Sequence, residues 1–269
     1  MRGVSAASLA QVLDAARGAA AGGAEGVAVG EDVFAVVGAL DANPVLRRVL
    51  SDPATEAEAK DGLVRSLFAG KIGAPALDIV STAAQGRWGA ARDVADALEQ
   101  AGVQTVLSRA EHDGGLDTVA DTLMEFSRVV VSDPELRQTV NDKASSLEGR
   151  QALVARLLEG KADEVTLALA RQAVTGRNHG FEQTLAGYAE DAIVRAGRLQ
   201  ALVTAAYELD ADEKQRLAGA LARKYGREVY VDVTVDPSVI GGIAVDIAGE
   251  RIDSTVSTRL ADARRGLVG

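Results

Sequence analysis

Apolar residues recur at three- and four-residue intervals as far as Arg198, and at two-residue intervals after it. The first regime predicts helices. Residues 8–17 and 103–111 are two of them, and Val119, Leu123, Phe126 and Val130 lay an apolar stripe along a third. Leu63 with Leu67, and Leu153 with Leu157, give i, i+4 faces of the same kind. Asn43 before Pro44 and Asp133 before Pro134 read as helix starts. The side-chain oxygen accepts an orphan N–H there, and Pro in the first turn lacks only an N–H that has no partner anyway. Gly70 and Gly160, each followed by Lys, read as helix ends; Gly86 and Gly176, each followed by Arg, end the next helix in the same way. Residues 19–26 read as a linker, the glycines from Gly22 to Gly30 as a flexible loop, and residues 112–116 as a turn.

Displaced by 90 residues, the chain matches itself without a gap. Residues 43–47 fall on 133–137, 63–71 on 153–161 and 85–87 on 175–177, and about a third of positions 44–87 are identical. Chance similarity between two Ala/Leu-rich stretches would reproduce Ala and Leu. Here Pro, Gly, Lys and Arg coincide as well, which favours a repeated unit. Two tandem helical bundles are predicted, over residues 1–102 and 103–197.

The remainder, 198–269, changes character. Residues 199–207 are an apolar, strand-forming run. Asp210 with Glu213 forms a capping box ahead of a helix carrying Leu217, Leu221 and Tyr225, and Gly226 closes it. Val229, Val231, Val233 and Val235 alternate with polar residues as in a half-buried strand. A turn through Asp236, Pro237 and Ser238 leads to a second strand from Ile240 to Ile247, a short return at Ile252 and Asp253, and a final helix capped by Ser254 that carries Val256, Leu260 and Ala263. The chain is thus expected to be α+β, mainly α: two helical bundles followed by a small β-α-β-β-α module.

Composition removes chemistries. The 269 residues are 47% apolar and 25% charged, values of a globular chain. Aromatics are only 3%, so cores are built from Leu, Val, Ile and Ala. There is no Cys, which excludes disulfides, thiol nucleophiles and thiolate metal sites. The two histidines, His112 and His179, are too few for a His-rich metal site. A net charge of −10 is the wrong sign for a sequence-independent nucleic-acid binder. No apolar stretch reaches the roughly 18 residues of a membrane span, and the first residues lack the apolar core of a signal peptide. A cytoplasmic chain, free to dock on a membrane-bound assembly, is expected.

Individual motifs add little chemistry. Gly241 and Gly242 suggest a phosphate loop, but no Lys-Ser or Lys-Thr follows; a bulge or close approach at a strand start is the better reading. His112 and His179 both fall in polar, solvent-facing surroundings. Glu190 with Asp191, and Asp210 with Asp212, read as charged helix faces or caps, and Ser145 with Ser146 lacks a nucleophile-elbow setting. Trp88 reads as a packing anchor. No catalytic set, cofactor or metal is expected.

One set of residues carries a family resemblance. The run from Val233 to Val245, with Asp236, Ser238, Ile240, Gly241 and Gly242, then Ile252, Asp253, Val256 and Leu260, resembles the signature of the delta subunit of bacterial F-type ATP synthases, the oligomycin-sensitivity-conferring protein family. Ser254 stands where the family has Gly, and Thr255 where it has Ser. Ala205 and Ala206 before Leu209, and Gly176 and Arg177 before the segment Phe181 to Tyr188, extend the likeness upstream. It covers residues 103–269; residues 1–102 resemble the extra helical copy of the long, actinobacterial form.

The resemblance implies a non-catalytic stator subunit. Its partners would be the N-terminal segments of the alpha subunits, gripped by the helical domain, and the b subunit of the peripheral stalk, joined by the C-terminal module. It implies a peripheral position on the cytoplasmic face of the membrane, one copy per hetero-oligomeric complex, with no membrane insertion and no nucleic acid. The second bundle is expected to hold the alpha segments, through a region including Leu123, Phe126, Leu153 and Leu157, because it is the copy continuous with the signature. An unrelated helical scaffold and a small-molecule enzyme built on the C-terminal module are the competing readings.

Overall fold

In the computed structural model, residues 3–21, 23–239 and 242–253 are described. The predicted final helix with Leu260, and the signature residues Ile240 and Gly241, lie outside them. Helices α1 (Val4–Ala19), α2 (Gly26–Ala42), α3 (Pro44–Ser51), α4 (Ala57–Phe68), α5 (Ala74–Gln85), α6 (Asp93–His112), α7 (Leu116–Ser132), α8 (Pro134–Asn141), α9 (Leu147–Leu158), α10 (Glu164–Ala173) and α11 (Phe181–Arg195) come first. Strand β1 (Leu199–Ala205), helix α12 (Ala211–Tyr225) and strands β2 (Val229–Val235), β3 (Ile243–Ile247) and β4 (Glu250–Asp253) follow. The chain divides into two compact units, Met1–Ala192 and Ile193–Gly269.

The expected punctuation carries its hydrogen bonds. Asn43 Oδ1 accepts from the N–H of Leu46 at 3.1 Å, and Asp133 Oδ1 accepts from Glu135 and Leu136, both at 3.0 Å. Gly70 and Gly160, one residue past the caps of α4 and α9, take left-handed φ of 77° and 71°. Gly86 departs from its expected equivalence with Gly176: it is extended (φ −66°, ψ 163°), whereas Gly176 is left-handed at φ 55°. The reason is Trp88, whose indole lies within 3.1 Å of where a Gly86 Cβ would stand, so the chain leaves α5 extended along the ring.

The bounds of α7, α8 and α9 lie 90 residues after those of α2, α3 and α4, end for end. Helix α1 displaced by 90 residues falls within α6. The expected boundary at residues 102 and 103 falls inside it, between turns of one continuous helix. Helices α1, α2 and α5 pack on it, and so do α7 and α10. A helix covered on several sides cannot be amphipathic, and α6 buries Val94, Leu98, Val103, Val106 and Leu107 together with Ala95, Ala97, Ala101 and Gly102.

The small residues serve close approach. The stretch Gly22 to Gly30, expected as a flexible loop, is helical from Gly26 onward. A Cβ on Gly26 would sit 2.6 Å from both Ser108 Oγ and Thr105 O; on Gly30, it would sit 2.3 Å from Val106 Cγ2 and 2.9 Å from Gly102 O. These glycines are there to let α2 lie directly on α6. His112, expected in a turn, is the exposed last residue of α6.

The second unit is built on a four-stranded mixed sheet of order β2-β1-β3-β4. Strands β1 and β2 are parallel, joined through α12, while β1–β3 and β3–β4 are antiparallel. The short return expected at Ile252 is thus a fourth strand. Ala201, Val203 and Ala205 share one face with Val231, Val233, Val245 and Ile247, and that face is packed with Leu209, Leu217 and Leu221 of the α12 segment. The capping box forms as read: Glu213 N donates to Asp210 Oδ1 at 2.7 Å, and Asp210 N to Glu213 Oε2 at 3.0 Å.

The close contact of α2 with α6 separates two substitutions of the same type. Gly30→Ala is expected to destabilise the protein by about 1–3 kcal/mol through overpacking. Gly38→Ala, on the same helix with nothing within 4 Å of its Cβ position, is expected to stabilise by about 0.5–1 kcal/mol through helix propensity alone. Urea unfolding of both variants measures the opposed signs.

Candidate partner-binding surface

An apolar groove of about 200 Å3 opens where α7, α8 and α9 meet. Phe126 and Val129 form its floor and wall from α7, Leu136 comes from α8, and Leu157 and Leu158 come from α9. Glu125 and Lys161 add a charge of each sign at its lining. Val129 is 48% exposed, unusual for a valine beside a packed core. Of the four positions expected to contact a partner, Phe126 and Leu157 line the groove, Leu153 is half-buried one turn away, and Leu123 is fully buried in the core. Phe126 also packs edge-on against Phe181 of α11, with ring centroids 5.7 Å apart, which fixes the groove floor.

The corresponding surface 90 residues earlier is built differently. Phe68 stands at the position of Leu158 and packs on the first core, and Ala39 stands at the position of Val129. Asp32, at the position of Thr122, accepts from Gly73 N at 2.7 Å and ties α2 to the start of α5.

The signature residues within reach are turn formers. Asp236 Oδ1 accepts from Ser238 N at 2.9 Å, holding the Asp-Pro-Ser turn, and Asp236 N donates to Ala205 O at 2.8 Å. The Ser238 bonds hold the Asp236 carboxyl below its ordinary range. Gly242 takes a left-handed φ of 81° immediately before β3, and Asp253 ends β4 opposite Ala244. On the sheet face away from α12, Leu202 is 49% exposed beside Asp232 and Asp246.

The polar centre of the first unit is Arg177, which the sequence marked as a helix end and as part of the family resemblance. Its side chain is 8% exposed and faces three carboxylates: Asp41 of α2, Asp96 at 3.0 Å and Glu99 at 2.8 Å, both of α6. Glu99 also accepts from Tyr188 OH at 3.0 Å and Gln172 Nε2 at 3.1 Å. Burial works against the guanidinium's charge, but the Asp41 hydrogen bond and the Glu99 and Asp41 charges outweigh it and push its pKa up. Elsewhere, Ser146 Oγ caps α9 through Gly149 N, and Trp88 is buried with its Nε1 donating to Ala83 O at 2.8 Å. His112 and His179 are exposed. Asp191 on α11 is pushed up to about 6 by burial and then by the charge of Glu190. Among the described residues, no helix is long and apolar enough to cross a membrane.

The family model described as "ATP synthase delta (OSCP) subunit" matches residues 103–267. The chain is similar to "ATP synthase subunit delta" of Kineococcus radiotolerans, 41% identical over 99% of this chain and 98% of that protein. It is also similar to proteins of the same name from Parafrankia sp., 40% identical over 88% of this chain and 85% of the relative, and from Beutenbergia cavernae, 41% identical over 89% of each.

Replacing Arg177 by Met leaves three carboxylates around an apolar side chain. A loss of about 3–5 kcal/mol in unfolding free energy is expected, measured by chemical denaturation. Replacing Asp191 has the opposite sign of effect, and it depends on pH. Its folded-state pKa of about 6 lies above the ordinary 3.8, so ionisation costs folding energy that is absent below pH ~4 and fully present above pH ~6. Asp191→Asn is therefore expected to raise the melting midpoint by a few degrees at pH 7, with the gain vanishing near pH 4.

Proposed function

Since the chain belongs to the ATP synthase delta (OSCP) family, we propose that it acts as a non-catalytic stator subunit of a proton-translocating ATP synthase. In this reading the chain links the alpha subunits at the top of the catalytic head to the b-subunit peripheral stalk. It keeps the head from turning with the rotor, so that proton-driven rotation is coupled to ATP synthesis. It holds no substrate. It sits peripherally on the cytoplasmic face of the membrane through its partners, one copy per complex.

The observation that carries the grip is the groove of α7, α8 and α9. An amphipathic helix binds by laying its apolar stripe into such a surface, with anchors at helical spacing. Val129, Leu136 and Leu157 supply apolar walls, and Glu125 and Lys161 offer charges of both signs for register. We assign the N-terminal segment of an alpha subunit to it. The set α7–α11, continuous with the signature module, is then the alpha-binding copy, and α1–α5 an added brace arising from duplication of the helical domain. The C-terminal module, with Leu202 exposed on its sheet, takes the b subunit.

Because α6 spans both sets, the test uses point variants of the full chain. A peptide of the alpha N-terminal segment is titrated by calorimetry into Leu157→Asp and into its counterpart Leu67→Asp, with thermal melts verifying that each is folded. Leu157→Asp is expected to weaken binding at least tenfold, about 1.4 kcal/mol, and Leu67→Asp to change it less than twofold. The reverse pattern assigns the alpha segment to the first set, and unchanged binding in both removes it from these faces.

A further inference from the structure

We propose that the cleft bounded by α8, the start of α9 and the turn from α10 to α11 binds an oxyanion of the phosphate class. It encloses about 410 Å3 and is lined by Asn141, Lys143, Arg150, Arg177, Asn178 and Gln183 among others, with no Asp or Glu among its described lining residues. That is a pronounced local exception in a chain of net charge −10.

Three features point to an acceptor that the protein itself does not supply. Arg150 is only 7% exposed; its Nη1 donates to Val140 O at 3.2 Å and Val174 O at 2.7 Å, while its Nε is buried without a partner. A buried cationic N–H left unpaired is costly, so an acceptor in the adjoining cavity is favoured. Lys143 Nζ donates to Gly176 O at 2.9 Å, and an ammonium has two further N–H groups. Thr175 Oγ1, also buried and unpartnered, belongs to a residue lining the adjacent cavity of about 660 Å3, which shares Lys143, Arg177 and Asn178. Arg177 is already matched by its three carboxylates and adds mainly shape. Asp142, whose charge Arg150 feels, turns its oxygens to Ala144 N and Ser145 Oγ.

The first set keeps a cation at two of these places, Lys60 for Arg150 and Arg87 for Arg177, but differs around them. Ninety residues before Asn178 stands Trp88, buried and filling its surroundings with an indole. Lys143 is matched by Pro53, Asn141 by Ser51, and Gln183 by the acidic Asp93. The second set has therefore exchanged an indole, a proline and a carboxylate for an amide, an ammonium and a second amide. Each exchange adds a polar group or removes a negative charge; Asn178 Nδ2 already donates to Asp96 at 3.3 Å and Asn141 Nδ2 to Arg137 O and Glu182 Oε2, so the N–H groups of Lys143 and Arg150 are the ones that suit a tetrahedral oxyanion.

The test titrates sodium phosphate into the full-length chain at constant ionic strength, balanced with sodium chloride, and follows the amide resonances of Gly176, Asn178 and Gly180. A saturable shift is expected, weakened at least fivefold in Lys143→Gln and lost in Asn178→Trp, with melting midpoints unchanged. A parallel titration with ADP distinguishes the source: tighter binding than phosphate assigns the site to a nucleotide phosphoryl group, and equal or weaker binding assigns it to free phosphate. Shifts that never saturate, that chloride reproduces, or that persist undiminished in Lys143→Gln overturn the proposal.

Discussion

Helix α6 has to satisfy neighbours on several sides at once, and much of the first unit follows from that constraint. A helix so covered must be apolar around most of its circumference and thin enough for its neighbours to reach it. Its alanines, Gly102 and the facing Gly26 and Gly30 meet the second demand. The one polar flank, Asp96 and Glu99, then lies where water is scarce and has to be neutralised in place. Arg177 supplies the positive charge, and Asp41 of α2 is a third carboxylate on the same guanidinium. The buried ion cluster is thus a consequence of routing one helix through two packing environments. Removing one member is costly because the others stay behind uncompensated.

Positions 90 residues apart in the two helical sets differ along lines that their surroundings dictate. Lys60 and Arg150 are both buried at the same point of the 90-residue register. Arg150 bridges the carbonyls of Val140 and Val174 with one nitrogen, whereas burial is the main cause lowering the Lys60 pKa, with Asp52 opposing it and Arg87 adding to it. A planar guanidinium can staple two helix ends; a point-charge ammonium is less suited to it. Likewise Ser5 and Ser8 of α1 fasten the turn after α5 by bonds to Asp93 and Arg87, while ninety residues later Ala95 and Leu98 of α6 are simply core. The start of α1 is a helix end that must be closed with polar bonds, and the matching stretch of α6 is interior to a continuous helix.

Local chemistry was legible in the sequence where it is self-contained. The caps at Asn43, Asp133 and Asp210, the left-handed glycines after α4 and α9, and the alternating valines of β2 each depend on residues a few positions apart. What could not be read were the features set by distant partners. Gly26 and Gly30 have the composition of a loop and become helix only because α6 lies against them. Arg177 reads as a cap until Asp41, far away in the chain, is brought beside it. The groove shares its residues with the core stripe of α7, so the pattern that identified Phe126 and Leu157 also offered Leu123, which the same periodicity places inward.

Continuity of α6 also bears on mechanics. Two bundles joined by a loop can swivel about it at little cost, since a few exposed backbone dihedrals absorb the change. Two helical sets that share a helix cannot, because bending between them means breaking hydrogen bonds in the middle of α6 and pulling Arg177 away from carboxylates on α2 and α6. The cost of such a break is that of disrupting a buried, charge-assisted network, well above thermal energy. A part that transmits torque benefits from stiffness of this origin: it resides in covalent continuity and buried charge, whereas surface contacts weaken with salt. In the proposed stator role, helices α1–α5 would stiffen the set that bears the groove without needing a binding face of their own.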